Sequence, residues 1–493
     1  MSIQSLTRLL ACLLLVGPSL DPPSAAAPPS SGDSAAPPNI ILFLVDDLGA
    51  RDIGVGGSDY YLTPHVDRLA ARGTMFTQAY ASYPRCVPSR FAIVTGRNPA
   101  REGVPGRSEK LDAVNLTVAR ALQENGYGTY FLGKWHLGHA GEGNGPEDRG
   151  FEVNIGGGSA GAPGSYTYPF HVKKGKGKDN DKEEGSMPGL EEGTEGEQLT
   201  DRLTHEADAL IRRHVAQRPD QPFFMELAHY GVHTPLEDGP DKVEQFKQRL
   251  KQMPAPAGPD YVDADRDGTT KQHQDHPVYA AMVSRVDDSL GTLMDTLEEL
   301  GVADNTLIVF TSDHGGLSNR GLSNKRDLAT SNLPLRAGKG HLFEGGIRVP
   351  LIVAWPAQIP AGQTSAFLTT GADHFPSFLA AAGLPLQPRA HIDGDSYLDA
   401  ARGKTADRGE AIYWHNPRPR PGSTGDHGSS AVRLGDWKLI RWYDIDDVDL
   451  YHLSEDPGEQ NDLADQQPAK TEELSQLLDD WLASFDAVKS REK

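Results

Sequence analysis

Four apolar runs along the chain are each followed by polar side chains that are able to do chemistry. The first run, Asn39–Val45, is apolar on both faces, as expected of a strand buried between helical layers in a parallel sheet. The runs and their polar groups are Asn39–Val45 before Asp46 and Asp47, residues 129–132 before Lys134 and His136, residues 222–228 before His229 and His233, and residues 306–311 before Asp313 and His314. Open α/β sheets bind ligands outside the carboxyl ends of their strands, so this repetition predicts one composite site.

Helical patterns lie between these runs. Apolar residues recur at helical spacing over residues 116–124, 199–216 and 279–300, and each stretch ends at or near Gly, Asn or Pro. Residues 349–354 are predicted to form another core strand, and residues 375–382 a short helix. Two polar segments, residues 156–197 and 235–277, are predicted to be surface loops near the rim of the site. The alternation of strands and helices predicts an α/β fold with a doubly wound sheet.

The pattern changes after about residue 385. Short apolar runs at 411–414, 431–434, 437–442 and 450–453, with Gly435 and Asp436 at a hairpin turn, predict a small antiparallel sheet. Apolar positions between Leu474 and Phe485 follow helical spacing and predict a terminal helix that docks on this sheet. We therefore expect a catalytic domain over residues 39–385 and a smaller C-terminal α+β subdomain over residues 386–493.

The first 27 residues have the pattern of a secretory signal peptide. A short polar start ends at Arg8, the apolar run after it is too short to span a bilayer, and small residues suited to cleavage follow. The Pro-rich residues 28–38 are predicted to be a linker. A buried N-terminal helix is the alternative interpretation. The signal predicts a periplasmic or secreted protein with no membrane attachment after signal cleavage.

Charge and cysteine content narrow the classes of partner. The 493 residues include 48 Lys+Arg and 69 Asp+Glu, which gives a formal net charge of −21. Such a surface repels nucleic acid and anionic membranes, so an anionic substrate requires positive charge that is gathered locally. Cys12 and Cys86 are the two cysteines. Signal cleavage would remove Cys12 and leave Cys86 without a partner for an intramolecular disulfide.

The sequence around Cys86 resembles the signature of the type I sulfatases, which reads Cys-x-Pro-Ser-Arg and then commonly Thr-Gly-Arg. This chain has Cys86-Val-Pro-Ser-Arg90 and then Thr95-Gly96-Arg97. Further elements resemble the family in the same order, namely Asp46-Asp47, Gly133-Lys-Trp-His-Leu-Gly138, His233-Thr-Pro235, Thr311-Ser-Asp-His-Gly315 and Gly338-Lys-Gly340. The resemblance covers about residues 39–385. It implies an alkaline phosphatase-like fold, in which helices sandwich a large mixed, mostly parallel sheet.

The resemblance also implies that Cys86 is the precursor of the nucleophile. In the family, a formylglycine-generating maturation enzyme oxidises this cysteine to formylglycine, and the hydrated aldehyde has two geminal hydroxyls. One hydroxyl attacks sulfur, and the second later loses its proton so that the intermediate collapses and sulfate leaves. An ordinary serine could perform only the first half of this sequence.

Hydrolysis of a sulfate ester further requires neutralisation of the equatorial oxygens and a proton for the leaving alcohol. Asp46, Asp47 and Asp313 offer oxygen ligands suited to one Ca²⁺ ion, and the expected ligand set also contains residue 86 and His314. The remaining roles are implied by the resemblance: Arg90, Lys134 and Lys339 around the anionic oxygens and the hydrate, His136 as the proton acceptor during collapse, and His233 with Lys339 near the leaving oxygen.

His314 departs from the familiar pattern, because many family members have Asn after the metal-binding Asp. A nitrogen ligand suits Ca²⁺ less well than an amide oxygen does. Three interpretations stay open: His314 ligates the ion anyway, it contacts the ligands without binding the ion itself, or the metal is not Ca²⁺. Ca²⁺ remains the expected ion because the other protein ligands are carboxylates.

The sequence therefore predicts an exported sulfatase that acts on a sulfated carbohydrate. A phosphonate monoester or phosphodiester hydrolase of the same superfamily is the alternative, since some of these enzymes share the Cys-x-Pro-Ser-Arg signature. Lys134 and Lys339 around one metal favour sulfate, because phosphoester enzymes more often use a second metal. A minor alternative is an inactive sulfated-glycan binding protein in which Cys86 stays a thiol.

Overall fold

The computed structural model describes residues 36–102, 111, 115–139, 141–172, 185–264, 268–405 and 407–485. The predicted signal peptide, with Cys12, and the predicted linker up to residue 35 lie outside the described residues. No helix among the described residues combines the length and the apolar character needed to cross a membrane.

The strands and helices of this part of the chain alternate through most of its length. The strands are β1 Asn39–Val45, β2 Thr74–Phe76, β3 Ala79–Tyr80, β4 Gly128–Gly133, β5 Val153–Ile155, β6 His171–Val172, β7 Gly185–Ser186, β8 Phe223–His229, β9 Tyr261–Ala264, β10 Gly268–Lys271, β11 Thr306–Ser312, β12 Asn319–Gly321, β13 Leu351–Ala354, β14 Gln363–Ser365, β15 Thr369–Thr370, β16 Ile412–Asn416, β17 Ser429–Leu434, β18 Trp437–Trp442 and β19 Asp447–His452. The helices are α1 Pro64–Ala71, α2 Cys86–Thr95, α3 Val118–Gln123, α4 Leu199–Gln217, α5 Pro240–Gln252, α6 Pro277–Glu299, α7 Glu344–Ile347, α8 His374–Ala381, α9 Leu398–Ala401 and α10 Pro468–Ala483.

The main sheet has eight strands in the order β14-β2-β13-β11-β1-β8-β4-β5. Strand β1 pairs in parallel with β11 on one side and with β8 on the other, and β4 continues the parallel arrangement to β5. Strand β13 pairs antiparallel with both β11 and β2, so it runs against the other strands. The prediction of a large mixed, mostly parallel sheet is confirmed.

Both faces of this sheet are covered by helices, as the fully apolar strands require. In β1, the side chains of Ile41, Phe43 and Val45 pack into a core shared with α4 and α6. The intervening residues Ile40, Leu42 and Leu44 pack into a second core on the opposite face, shared with α2, α3 and α8. The alternation follows from the period of two along a strand. Strand β1 is therefore buried on both faces of the sheet.

The C-terminal part forms a four-stranded antiparallel sheet in the order β16-β17-β18-β19. One face packs on α10 through Leu474, Leu478 and Leu482, so the predicted docking of a terminal helix is confirmed. The other face packs on the 337–347 segment, which precedes and includes α7, through residues such as Trp414 and Phe343. The sheet thus has its own core on one side and shares a core with the main body on the other.

A cluster of buried charged residues lies where the C-terminal sheet contacts the 337–347 segment. Lys438 of β18 contacts Glu344 at 2.9 Å and Glu459 at 2.8 Å, and all three side chains are fully buried. Arg348 contacts the second oxygen of Glu344 at 2.6 Å. Removal of one partner from a buried ion pair leaves an uncompensated charge and costs about 3–5 kcal/mol. The cluster therefore ties the C-terminal sheet to the main body.

The structure corrects the bounds of one predicted helix and the description of one predicted loop. Helix α3 is shorter than the predicted 116–124, because Thr117 caps it by accepting a hydrogen bond from the Arg120 backbone N–H. The 235–277 segment contains α5 and two strands of a small sheet, so the prediction of a plain loop is wrong. Val243 and Phe246 are buried on one face of α5, and this short apolar stripe was concealed by the polar residues around it.

Candidate active site

The ends of the parallel strands bring the predicted polar groups to one edge of the sheet. Val45 pairs with Ser312, so Asp46 and Asp313 follow neighbouring strands at the same level. Gly133 of β4 pairs with Ala228 of β8, and Lys134 follows directly. His229 is the last residue of β8, but its side chain lies on the sheet face that α6 covers. There it contacts Ser289 at 2.9 Å and the Phe43 ring.

Helix α2 supplies the cysteine from its N-terminus. Cys86 is the first residue of the helix, rather than the residue before it, and Pro88 lies in the first turn. The helix ends at Gly96, whose φ of 67° is in the left-handed region that glycine adopts readily. The free backbone N–H groups of a helix N-terminus favour anions. The local sequence thus places Cys86 where an anionic ligand would be stabilised.

Three buried carboxylates each have a cationic partner. Asp46 contacts Lys134 at 2.5 Å, Asp47 contacts Lys339 at 2.6 Å, and Asp313 contacts Arg90 at 2.9 Å. All three aspartate side chains are at most 2% exposed, so the charges are balanced in a region with little water. Asp47 has a φ of 62°, which a residue with a side chain rarely adopts and which is found most often at functional sites.

The cysteine lies among these charges. Its Sγ is 3.2 Å from His314 Nε2 and 3.6 Å from Lys339 Nζ. The same His314 nitrogen is 3.2 Å from an Asp47 oxygen and 3.6 Å from an Asp313 oxygen. His314 therefore lies between Cys86 and the carboxylates of Asp47 and Asp313.

Every predicted site residue lies in this one region. Arg90 also donates to the Lys134 backbone carbonyl at 2.6 Å. His233 is half-buried at the rim, with Nε2 at 3.8 Å from an Asp47 oxygen and Nδ1 at 2.6 Å from the Thr234 carbonyl. The residues brought together are Asp46, Asp47, Cys86, Arg90, Lys134, His136, His233, Asp313, His314 and Lys339.

The pKa values of the three carboxylates are shifted in different directions. Burial raises the pKa of Asp46 well above its ordinary value, and Lys134 acts in the opposite direction. Burial also acts to raise the pKa of Asp47, but Lys339 and His233 hold it below its ordinary value. Asp313 behaves like Asp47, with His314 and Arg90 as the neighbours that lower its pKa. The neighbouring groups thus outweigh the effect of burial on the pKa of Asp47 and Asp313 but not on that of Asp46.

The nucleophile position and the imidazoles are shifted as well. Burial opposes ionisation of Cys86, but Lys134 and Lys339 lower the pKa of its thiol well below the ordinary value. Burial and Lys339 lower the pKa of His233 to about 4, and burial lowers the pKa of His136. Both of these imidazoles are therefore neutral at pH 7.

The donor set fits a divalent cation. Side-chain ligand atoms of Asp46, Cys86, Asp313 and His314 all lie within 4.8 Å of one another, and a second such group contains Asp47 and His233. The Oδ1 atom of Asp46 is buried and makes no hydrogen bond within the described part of the chain. Buried carboxylate oxygens that lack a donor are suited to coordinate a hard cation.

Two residues of this region were missed by the sequence analysis. Arg85, directly before Cys86, is buried and forms an ion pair with Asp426 at 2.6 Å. Glu226 lies in the middle of β8, and its Oε2 atom makes no hydrogen bond among the described residues. A signal for Glu226 was present, since it is the one acidic residue in the apolar run Phe223–His229.

Comparisons with known proteins agree with this geometry. The family model described as Sulfatase matches residues 38–384, and the model described as N-sulphoglucosamine sulphohydrolase, C-terminal, matches residues 338–486. The chain is 29% identical over 514 residues to an N-acetylgalactosamine-6-O-sulfatase of Bacteroides thetaiotaomicron, with 90% of this chain and 92% of that protein covered.

Solved structures share the fold. The crystal structure of Ps i-CgsB matches with a TM-score of 0.72 and 30% identity over 92% of this chain and 94% of that one. That protein has also been solved in complex with k-i-k-neocarrahexaose. A phosphonate monoester hydrolase of Agrobacterium radiobacter matches with a TM-score of 0.60 at 20% identity, covering 91% and 95% of the two chains, so the likeness is one of fold.

The environment of Glu226 gives a testable pH dependence. Burial raises the pKa of Glu226 to about 7, with Arg90 acting in the opposite direction, whereas the ordinary value is 4.5. Below pH 4.5 the carboxyl group is protonated in both the folded and the unfolded chain. Between pH 4.5 and 7 the unfolded chain loses this proton more readily, so the group reduces stability by up to about 3 kcal/mol.

We therefore expect Glu226→Gln to gain stability relative to the wild type as the pH rises from 5 to 8. The measurement is denaturant unfolding of both proteins at each pH. Glu124→Gln, at an exposed position, is the matched control and should show no such trend. A stability difference between Glu226→Gln and wild type that stays constant over this range would contradict the expectation.

Proposed function

Because the chain belongs to the sulfatase family and is therefore a sulfuric ester hydrolase, we propose that it hydrolyses a sulfate ester on a carbohydrate to free sulfate and an alcohol. The observation that carries this proposal is the position of Cys86 at a helix N-terminus, between buried carboxylates and two lysines. The names of the relatives support a sugar substrate, since one is an N-acetylgalactosamine-6-O-sulfatase and another has been solved in complex with k-i-k-neocarrahexaose.

We propose that Asp46, Asp47 and Asp313, with residue 86 and His314, hold one Ca²⁺ ion. The three carboxylates and the undonated oxygen of Asp46 support a hard cation, and the position of His314 Nε2 among Asp47, Asp313 and Cys86 supports a direct ligand role. When bound, such an ion would hold a sulfate oxygen and lower the proton affinity of the nucleophile.

We propose further that Cys86 is converted to formylglycine by a maturation enzyme that acts transiently. The Cys-x-Pro-Ser-Arg motif supports this, and so does the absence of any second cysteine after residue 12. The hydrated aldehyde supplies a nucleophilic hydroxyl together with a second hydroxyl through which the enzyme is regenerated.

The chain's own cations and imidazoles complete the mechanism. Lys134 and Lys339 bind the anionic oxygens, and Arg90 holds Asp313 and the Lys134 backbone in place. Neutral His136 accepts the proton that residue 86 gives up during regeneration. A bound sulfate ester adds negative charge beside His233 and raises its pKa, so that His233 together with Lys339 delivers a proton to the leaving oxygen.

We propose that residues 39–385 form the catalytic domain and residues 386–493 a C-terminal subdomain. The overlap of the two family models at residues 338–384 coincides with the segment that packs on the C-terminal sheet. The signal-peptide pattern of residues 1–27 supports export to the periplasm or beyond the cell.

The first test separates sulfate from phosphorus chemistry. We expect the wild type to turn over 4-nitrophenyl sulfate with a kcat/KM well above that for a phenyl phosphonate monoester or a bis-aryl phosphodiester, because the site combines two lysines with ligands for one metal, whereas phosphoester enzymes more often use a second metal. Cys86→Ala should lose on the order of 10⁴-fold or more in sulfate release. Preferred turnover of the phosphonate would instead support the alternative function.

The second test concerns maturation. Protein exported from a host with the maturation enzyme should contain less than one reactive thiol per denatured chain and a matching fraction of chains that react with a carbonyl reagent. Activity should be proportional to that carbonyl fraction. Cys12→Ser is the control that assigns every remaining thiol to residue 86, including in uncleaved precursor. A fully active preparation with one thiol at position 86 and no aldehyde would refute formylglycine.

The third test is metal removal. Exhaustive chelation should abolish turnover and lower the melting temperature, since the ion would no longer hold the sulfate oxygen and its binding would no longer favour the folded state. Readdition of Ca²⁺, Mg²⁺ or Mn²⁺ separately should restore activity best with Ca²⁺. Undiminished activity after chelation would exclude the proposed metal site, and better recovery with another ion would correct its identity.

A further inference from the structure

A loop of the C-terminal sheet lies against the start of the cysteine helix. This loop, Asn416–Asp426, begins at the last residue of β16 and leads towards β17. The Tyr83 hydroxyl donates to Asn416 Oδ1 at 2.6 Å, and Asn416 Nδ2 donates to the Gly340 carbonyl at 3.2 Å. The loop therefore contacts the segments on either side of the site, the one before Cys86 and the one after Lys339.

An ion pair fixes this loop in place. Arg85 and Asp426 are 2.6 Å apart, with side chains 5% and 0% exposed. Arg85 also donates to the Arg418 carbonyl and to Thr424 Oγ1, both at 3.4 Å. Because a buried ion pair with several hydrogen bonds is costly to break, the loop has one defined position relative to residue 86.

Arg420 extends from this fixed loop into solvent. Its backbone N–H donates to Asp426 Oδ2 at 3.3 Å, and its carbonyl accepts from the backbone N–H groups of Ser423 and Thr424, both at 2.9 Å. The side chain is exposed, and its guanidinium makes no hydrogen bond or ion pair with the described residues. The backbone is thus held firmly while the charged group stays available.

The charges around Arg420 leave its guanidinium poorly compensated. Partial burial and Arg85 lower the pKa of Arg420, whereas Tyr83, Asp426 and Cys86 act in the opposite direction. Asp426 already pairs with Arg85. The loop places Arg420 near residue 86, because the Arg420 backbone donates to Asp426, and Asp426 pairs with Arg85, the residue before Cys86.

A second loop adds to this positive charge. Arg326 donates to Ser423 Oγ at 3.1 Å, and the Gly321 N–H donates to the Ser423 carbonyl at 3.1 Å. Exposed Lys325 lies next to Arg326, while the neighbouring Asp327 is 3.1 Å from His276. The cations of the two loops thus lie together in a chain whose formal net charge is −21.

We infer that Arg420 binds a second anionic group of the substrate, beside the sulfate ester that is cleaved at residue 86. A guanidinium recognises the two oxygens of a sulfate or a carboxylate through parallel hydrogen bonds, and its fixed loop reduces the entropy lost on binding. The inference rests on the proposed function, and it defines the substrate class as a saccharide with at least two anionic groups, the second a sulfate ester or a uronate carboxylate.

The experiment compares substrates that differ by one anionic group. Sulfate release is measured from N-acetylgalactosamine 6-sulfate, from N-acetylgalactosamine 4,6-disulfate and from the uronate-containing disaccharide of chondroitin 6-sulfate. We expect the wild type to prefer one of the two dianionic substrates, and Arg420→Gln to reduce the kcat/KM ratio of dianionic to monoanionic substrate about tenfold. Which substrate carries the preference identifies the second group as sulfate or carboxylate.

Two variants sharpen the result. Arg420→Lys should retain part of the preference, because it keeps the charge but not the planar fork. Arg389→Gln is the matched control: it is exposed and close to His391, which packs on Gly96 at the far end of α2, and it should not change the ratio. Equal ratios in wild type and Arg420→Gln would overturn the inference. Turnover of 4-nitrophenyl sulfate with no sulfate release from any of the three sugars would overturn the inference and leave sulfate hydrolysis intact, whereas no turnover of any of the four compounds would refute the proposed function.

Discussion

The structure depends on the neutralisation of three carboxylates that are buried at the ends of two neighbouring parallel strands. A buried carboxylate without a counter-charge costs several kcal/mol, so Asp46, Asp47 and Asp313 can share this position only if cations reach them. Those cations come from three separate parts of the chain: α2, the end of β4 and the segment around Lys339. The last approach requires Gly338, since a Cβ atom there would lie 2.4 Å from the Gly316 carbonyl oxygen.

The same balance gives the site its chemistry. Because the cations that offset the carboxylates also surround residue 86, an arriving sulfate ester meets positive charge that is already fixed in place and needs little reorganisation. Burial keeps the imidazoles of His136 and His233 neutral, so neither adds to the charge of the cluster until it takes up a proton. One set of ionic contacts thus serves both the folded state and the reaction.

The sequence was sufficient for the features that depend on local pattern. The run Asn39–Val45 is apolar from Ile40 onward and was assigned to β1 with its observed bounds, and the predicted site residues converge because parallel strands present their carboxyl ends at one edge. Contacts between distant residues could not be read in this way: Arg85 and Asp426 are 341 residues apart, and each alone has the pattern of a solvated surface charge. Glu226 was overlooked for a different reason, since one acid in an apolar run is easily taken for an edge position.

The buried cluster of Lys438, Glu344 and Glu459 has a consequence for truncated forms of the gene. All the proposed catalytic residues lie before position 340, so a reading frame that stops shortly after residue 385 would still encode the whole reactive set. Its product would lack Lys438 and Asp426, which leaves Glu344 without its lysine and Arg85 without its only acidic partner among the described residues. A late nonsense codon should therefore behave as a null allele, because the last quarter of the gene encodes the counter-charges that allow the first three quarters to fold.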